Sequence, residues 1–216
     1  AVADNKTRYT AALGLPELRE AISTYYRTAF QVTVPARQIV ITSGASTALM
    51  YACLALINPG QEVMLADPGY PCNKTFVQMA GGIPRFVQTR EENNFQPSWD
   101  ELNQNWKPQT AGVLLASPNN PTGWTLTQAE QAEILAHCRS TGTWVLADEV
   151  YERLYFENDT ANGCAPSFLD VAHAEDRLVV VHSFSKSFLM TGWRLGWLVM
   201  PAAMTHHMGK LIEFNT

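Results

Sequence analysis

Lys186 sits in the most chemically suggestive pattern of this chain. It closes the string Ser183-Phe184-Ser185-Lys186, and Arg194 follows eight residues later between Gly192 and Gly196. A lysine at a loop is ordinarily a solvated cation. Held near a carbonyl compound, the same amine forms a Schiff base. Arg194 and Ser183 favour the second role, because a guanidinium fork and a hydroxyl suit a phosphate. An amine nucleophile beside a phosphate grip points to a phosphorylated aldehyde, of which pyridoxal 5′-phosphate is the common one.

Such groups need a rigid support. The β-branched run Leu178–His182 directly before them reads as a buried strand, and ligands of open α/β sheets bind beyond the carboxyl ends of strands. Further strands are expected at Gln38–Thr42, Glu62–Ala66, Arg85–Gln88, Gly112–Ala116, Thr143–Ala147 and Gly196–Met200. Helices are expected over residues 16–30, with Pro16 at the start, and at Ser46–Ile57, Cys72–Ala80 and Thr127–Ser140; another opens at Pro201 and runs to the end. Residues 91–108 read as a loop with a short helix near Trp99–Gln104, and 157–177 as a long excursion with a short helix. Strands alternating with helices predict an α/β fold, a mostly parallel sheet covered on both faces.

Four more strand ends carry polar groups. Ser43-Gly44-Ala45-Ser46-Thr47 is a capped turn whose free N–H groups at a helix start favour an anion. Asp67-Pro68-Gly69-Tyr70-Pro71 and Ser117-Pro118-Asn119-Asn120-Pro121-Thr122-Gly123 are rich in turn formers, which accounts for most of their residues. Asp148, after four apolar residues, would be a costly buried carboxylate unless it meets a cation. A protonated pyridine nitrogen is one, and Glu149 is an alternative partner for it.

The spacing S-x-S-K with G-x-R-x-G resembles the cofactor-lysine motif of the class I/II aminotransferases, which are fold-type I pyridoxal-phosphate enzymes. NNPTG, D-E-x-Y at Asp148–Tyr151, and Tyr9 followed by Gly14-Leu15-Pro16-Glu17-Leu18-Arg19 are similar to further motifs of that family, in the family's order across nearly the whole chain. The resemblance implies a three-layer sandwich with a mostly parallel, roughly seven-stranded sheet. It implies that Lys186 forms the Schiff base and moves the substrate's α-proton. Asp148 would pair with the ring nitrogen, Tyr70 would stack on the ring, and Asn120 and Tyr151 would bind the ring oxygen. Ala45, Ser46, Ser183 and Arg194 would hold the phosphate, joined by Tyr9 from a neighbouring subunit. It further implies amino-acid and 2-oxo-acid substrates, a homodimer, and a substrate-carboxylate arginine in a C-terminal part that this sequence lacks. Residues 1–216 are thus expected to be the large, cofactor-binding domain of a longer protein, with the small domain largely absent.

Composition restricts the alternatives. A net charge of −5, without a basic run, leaves no electrostatic footprint for nucleic acid. The four cysteines are scattered, which fits a reducing cytoplasm rather than a disulfide scaffold, and no histidine pairs with one at metal-ligand spacing. The longest apolar run, Ala48 to Ile57, covers ten residues, where about 20 are needed to cross a bilayer. Ser183-x-x-Lys186 also fits serine acyl enzymes, but the S-D-N and K-T-G strings they need are missing. A degenerate nucleophile elbow at Ser46, with Asp148 and His182, would make an α/β-hydrolase and leave Lys186 and Arg194 without a task. Related C–S lyases, decarboxylases and cofactor-sensing transcription regulators share the cofactor grip and remain alternatives.

Overall fold

Seven strands form one sheet in the order β1-β7-β6-β5-β4-β2-β3. They are β1 (Ile39–Thr42), β2 (Glu62–Asp67), β3 (Ile83–Gln88), β4 (Thr110–Ala116), β5 (Trp144–Asp148), β6 (Leu178–Ser183) and β7 (Gly196–Val199). The five central and outer strands β3, β2, β4, β5 and β6 run parallel, and β7 is antiparallel to both β6 and β1. The computed structural model describes residues 3, 7–157, 160 and 162–214.

Helices cover both faces, so the α/β three-layer sandwich is as expected. They are α1 (Pro16–Tyr25), α2 (Ala45–Leu56), α3 (Cys72–Met79), α4 (Trp99–Asn105), α5 (Gln128–Thr141) and α6 (Ala202–Glu213). The helix expected over residues 16–30 is α-helical only to Tyr25, then widens into a π segment, Tyr26–Phe30, that ends at Gln31 with φ 59°. This wider turn leaves both Tyr26 and Phe30 buried. Strand β3 begins two residues before its expected start and includes Pro84; it lies at a sheet edge, where a missing N–H costs no ladder bond. Thr127 and Glu130 form a capping box at the start of α5. The last two residues of the expected C-terminal helix lie outside the described residues.

Strand parity divides the interior into two cores and decides what reaches each. Val145, Ala147, Leu178 and Val180 pack with Ile22, Tyr26, Ile134 and Leu135 on one face. Leu146, Val179 and Val181 pack with Leu49, Ala52 and Cys53 of α2 on the other. Side chains alternate along a strand, so Asp148 and Ser183 continue the row that faces α2, and His182 continues the opposite row. Such double-sided burial is why β5 and β6 are apolar without interruption until their carboxyl ends.

Candidate active site

The parallel strands deliver polar groups to one rim. Asp148 ends β5, Ser183 ends β6, Asn120 and Tyr70 follow β4 and β2, and α2 begins there with Ala45. Ala45, Ser46, Tyr70, Asn120, Asp148, Tyr151, Ser183, Lys186 and Arg194 line one cavity of about 270 Å³. Leu49, Val150, Ser185 and Thr191 complete the wall.

The anion end is built by the start of α2. Its N-cap Gly44 (φ 89°, ψ 170°) places no side chain over the first N–H groups. These groups carry the positive end of the helix dipole and have no intrahelical partners. Arg194, at φ 50°, curls back so that its Nη1 donates to the Thr191 carbonyl at 3.1 Å while Nη2 crosses beside Gly44. Gly196 lets the backbones close on one another: a Cβ there would stand 2.7 Å from the His182 carbonyl oxygen and 2.8 Å from the Gly44 carbonyl carbon. The Ser183 hydroxyl accepts the Ser185 N–H at 3.0 Å, which shapes the turn that carries Lys186.

The acid and the amine line the same cavity. Asp148 is buried, with Val150 N–H donating to its Oδ1 at 3.2 Å. Burial pushes this carboxyl from 3.8 up to about 6, against the smaller opposing effects of that hydrogen bond and of His182. Lys186 Nζ lies 5.8 Å from the centre of the Tyr151 ring, and Asn120 Nδ2 donates to the Tyr151 hydroxyl at 3.4 Å. The Tyr70 hydroxyl is raised in pKa by the Cys72 thiol and by burial, with Ser46 opposing. The cavity therefore combines a cationic and N–H-lined pole with a primary amine, a flanking pair of hydrogen-bonding groups and a carboxylate in need of a cation.

Tyr9 is fully exposed and does not line the cavity. Glu149 turns away from it: the carboxylate accepts from Ser167 Oγ at 2.7 Å and from Phe168 N–H at 2.8 Å. His182 is also outside, 1% exposed on the far side of β6, so no Ser46–Asp148–His182 triad forms. Cys72, beside Tyr70, is a neighbour the strand-end motifs did not single out. No cluster of potential metal ligands occurs among the described residues, and no helix among them is long and apolar enough to cross a membrane.

A mostly parallel α/β sheet with an amine, an acid, a guanidinium and a free helix N-terminus at its carboxyl rim is of the doubly covered class, whose ligands bind at that rim. The comparisons with known proteins narrow that class. The family model described as aminotransferase class I and II matches residues 2–216, and the chain belongs to that family. It is 38% identical over 204 residues to a valine–pyruvate aminotransferase of Mycobacterium tuberculosis, covering 93% of this chain and 50% of that protein. It is 34% identical over 205 residues to an aspartate aminotransferase of Pyrococcus horikoshii, covering 95% and 51%. Among solved structures, an aspartate aminotransferase from Thermotoga maritima superposes with TM-score 0.91 at 32% identity, over 99% of this chain and 56% of that one. The chain spans about half the length of the curated relatives it matches.

Proposed function

We propose that residues 1–216 are the cofactor-binding large domain of a pyridoxal 5′-phosphate-dependent aminotransferase, which moves an amino group between an amino acid and a 2-oxo acid. The observation that carries this reading is the shared cavity of Lys186, Asp148, Arg194 and the α2 N-terminus, contributed by separate strand ends. A flat, phosphorylated aromatic aldehyde with a basic ring nitrogen matches that set group for group.

Each residue then has a task that follows from its chemistry. Arg194, Ser183 and the N–H groups of Ala45 and Ser46 bind the phosphate dianion; the guanidinium supplies charge and the backbone supplies direction. Asp148 would accept a hydrogen bond from the ring N–H⁺, which favours its ionised form and offsets the cost of its burial. Tyr70 would cover one face of the ring, and Asn120 with Tyr151 would hydrogen-bond the ring oxygen. When bound, the cofactor supplies an aldehyde carbon and an electron-accepting ring. Lys186 is the amine that would hold that aldehyde, and the same amine would carry the proton removed from the substrate's α-carbon. Tyr9 extends from the surface to a second subunit's phosphate in a homodimer.

The test is an amino-donor screen on the intact protein supplied with pyridoxal 5′-phosphate. Stoichiometric formation of a 2-oxo acid from the donor and a new amino acid from the acceptor is expected. Release of carbon dioxide or of a thiol in their place would assign a decarboxylase or lyase. Absence of any bound cofactor would overturn the reading.

A further inference from the structure

Behind the cavity wall lies a second polar cluster. His182 stacks on Trp197 with ring centres 4.9 Å apart and an interplanar angle of 11°. Its Nε2 is 3.5 Å from Glu149 Oε2, and its Nδ1 is 3.6 Å from Glu152 Oε2. Glu149 is 1% exposed and Glu152 2%. Glu152 also accepts from Tyr25 Oη at 3.3 Å and from Ser187 Oγ at 3.0 Å.

Chain connectivity gives this cluster its meaning. Asp148, Tyr151, Ser183 and Lys186 line the cavity, and each has an immediate neighbour in the cluster: Glu149, Glu152, His182 and Ser187. Two buried carboxylates on one imidazole are costly unless that imidazole carries a charge. The other groups facing it are Tyr26 from the π segment, with Tyr25 beyond it at Glu152 and at the exposed Arg153; Asp148 acts from the far side of β5. Trp197 Nε1 is spent on the Tyr26 hydroxyl at 3.0 Å. The imidazole is therefore the cation available to both acids.

We propose that His182 is a buried imidazolium clamped by Glu149 and Glu152, and that through Glu152 and Ser187 it is a positioning residue for the Lys186 amine. The protonation of His182 stands independently of the aminotransferase reading; the effect on cofactor binding rests on it. Burial alone would depress the imidazole, but the two carboxylates outweigh it and raise it to about 9. A raised histidine stabilises the fold fully below about 6.5, and that contribution fades as pH climbs through about 9.

The test uses the intact protein labelled with ¹⁵N-histidine, with and without added pyridoxal 5′-phosphate. Both His182 nitrogens should show protonated shifts up to nearly pH 9; titration near 6.5 would overturn the charge. Positioning is read in Ser187→Ala, which leaves the clamp in place. Its cofactor dissociation constant should rise about tenfold, as for a lost hydrogen bond to a charged group, with Ser187→Thr restoring it. The pH midpoint of the bound cofactor's absorbance should move with it. Wild-type affinity and an unmoved midpoint in Ser187→Ala would overturn the positioning role. If the parent protein binds no cofactor, the aminotransferase reading fails and the positioning role falls with it, and the ¹⁵N titration still decides the charge.

Discussion

Arg194 Nη2 lies 2.9 Å from the point where a Cβ on Gly44 would stand. The pairing joins the two halves of the anion pole, one from the turn before α2 and one from the segment before β7. Gly44 at φ 89° and ψ 170° also occupies backbone space that side chains avoid. Gly44→Ala should cost about 1–3 kcal/mol of stability and displace the guanidinium. Phosphate-ester affinity, measured by calorimetry with pyridoxal 5′-phosphate against pyridoxal, should lose most of its preference for the phosphate. An unchanged preference would contradict the shared pole.

Gly196 makes a sharper case, because its obstacles are backbone atoms that cannot rotate away. The Ala45 amide nitrogen is 3.0 Å from the hypothetical Cβ, and the His182 oxygen is closer still. Gly196→Ala is expected to destabilise by about 1–3 kcal/mol and to separate β7 from the α2 turn. Denaturant unfolding would show the first effect, and weakened cofactor retention on dialysis the second. A fully stable variant with wild-type retention would refute this account of the glycine.

Asp148 should cost the empty protein stability. With its carboxyl raised from 3.8 to about 6, the folded form keeps a proton that the unfolded chain has released, so stability falls as pH rises through that interval. Asp148→Asn should therefore raise the thermal midpoint of the cofactor-free protein by a few degrees at pH 7, with the gain shrinking toward pH 4. The same variant should lose roughly 100-fold in kcat/KM, the loss of one buried charge partner. Wild-type cofactor affinity should decline as pH drops below about 6, where Asp148 takes up its proton. A midpoint below wild type at pH 7 would show that the carboxylate is not strained.

The rim of the sheet was legible because its chemistry follows strand ends in order. Runs such as Leu178–Val181 announce a strand, and turn residues announce where it stops, so Ser183, Asp148 and Asn120 could be assigned to one side before the strands were ordered. The strand order itself, and the antiparallel β7 between β1 and β6, depend on long-range pairing that no local pattern encodes. The π segment at Tyr26–Phe30 escaped for a similar reason, since its apolar positions also suit an ordinary helix.

The cluster behind the wall was missed although its signal was present. His182 alternates with Val179 and Val181 along β6, which assigns it to the side away from α2. Glu149 and Glu152 lie three residues apart after β5, where two acids near an apolar interior require a base. His182 follows Ser46 and Asp148 in the chain as a hydrolase base would, but it lies on the wrong face. Parity along the strand would have excluded that role.

The proposed site depends above all on Lys186 as the amine that holds the cofactor. The direct measurement is borohydride reduction of the intact, cofactor-loaded protein, followed by proteolysis and mass spectrometry of the phosphopyridoxyl peptide. A single modified lysine, Lys186, is expected in the peptide containing Ser183–Lys186, with no covalent label in Lys186→Ala. A label distributed over Lys74, Lys107 and Lys210, or retained in Lys186→Ala, would contradict it.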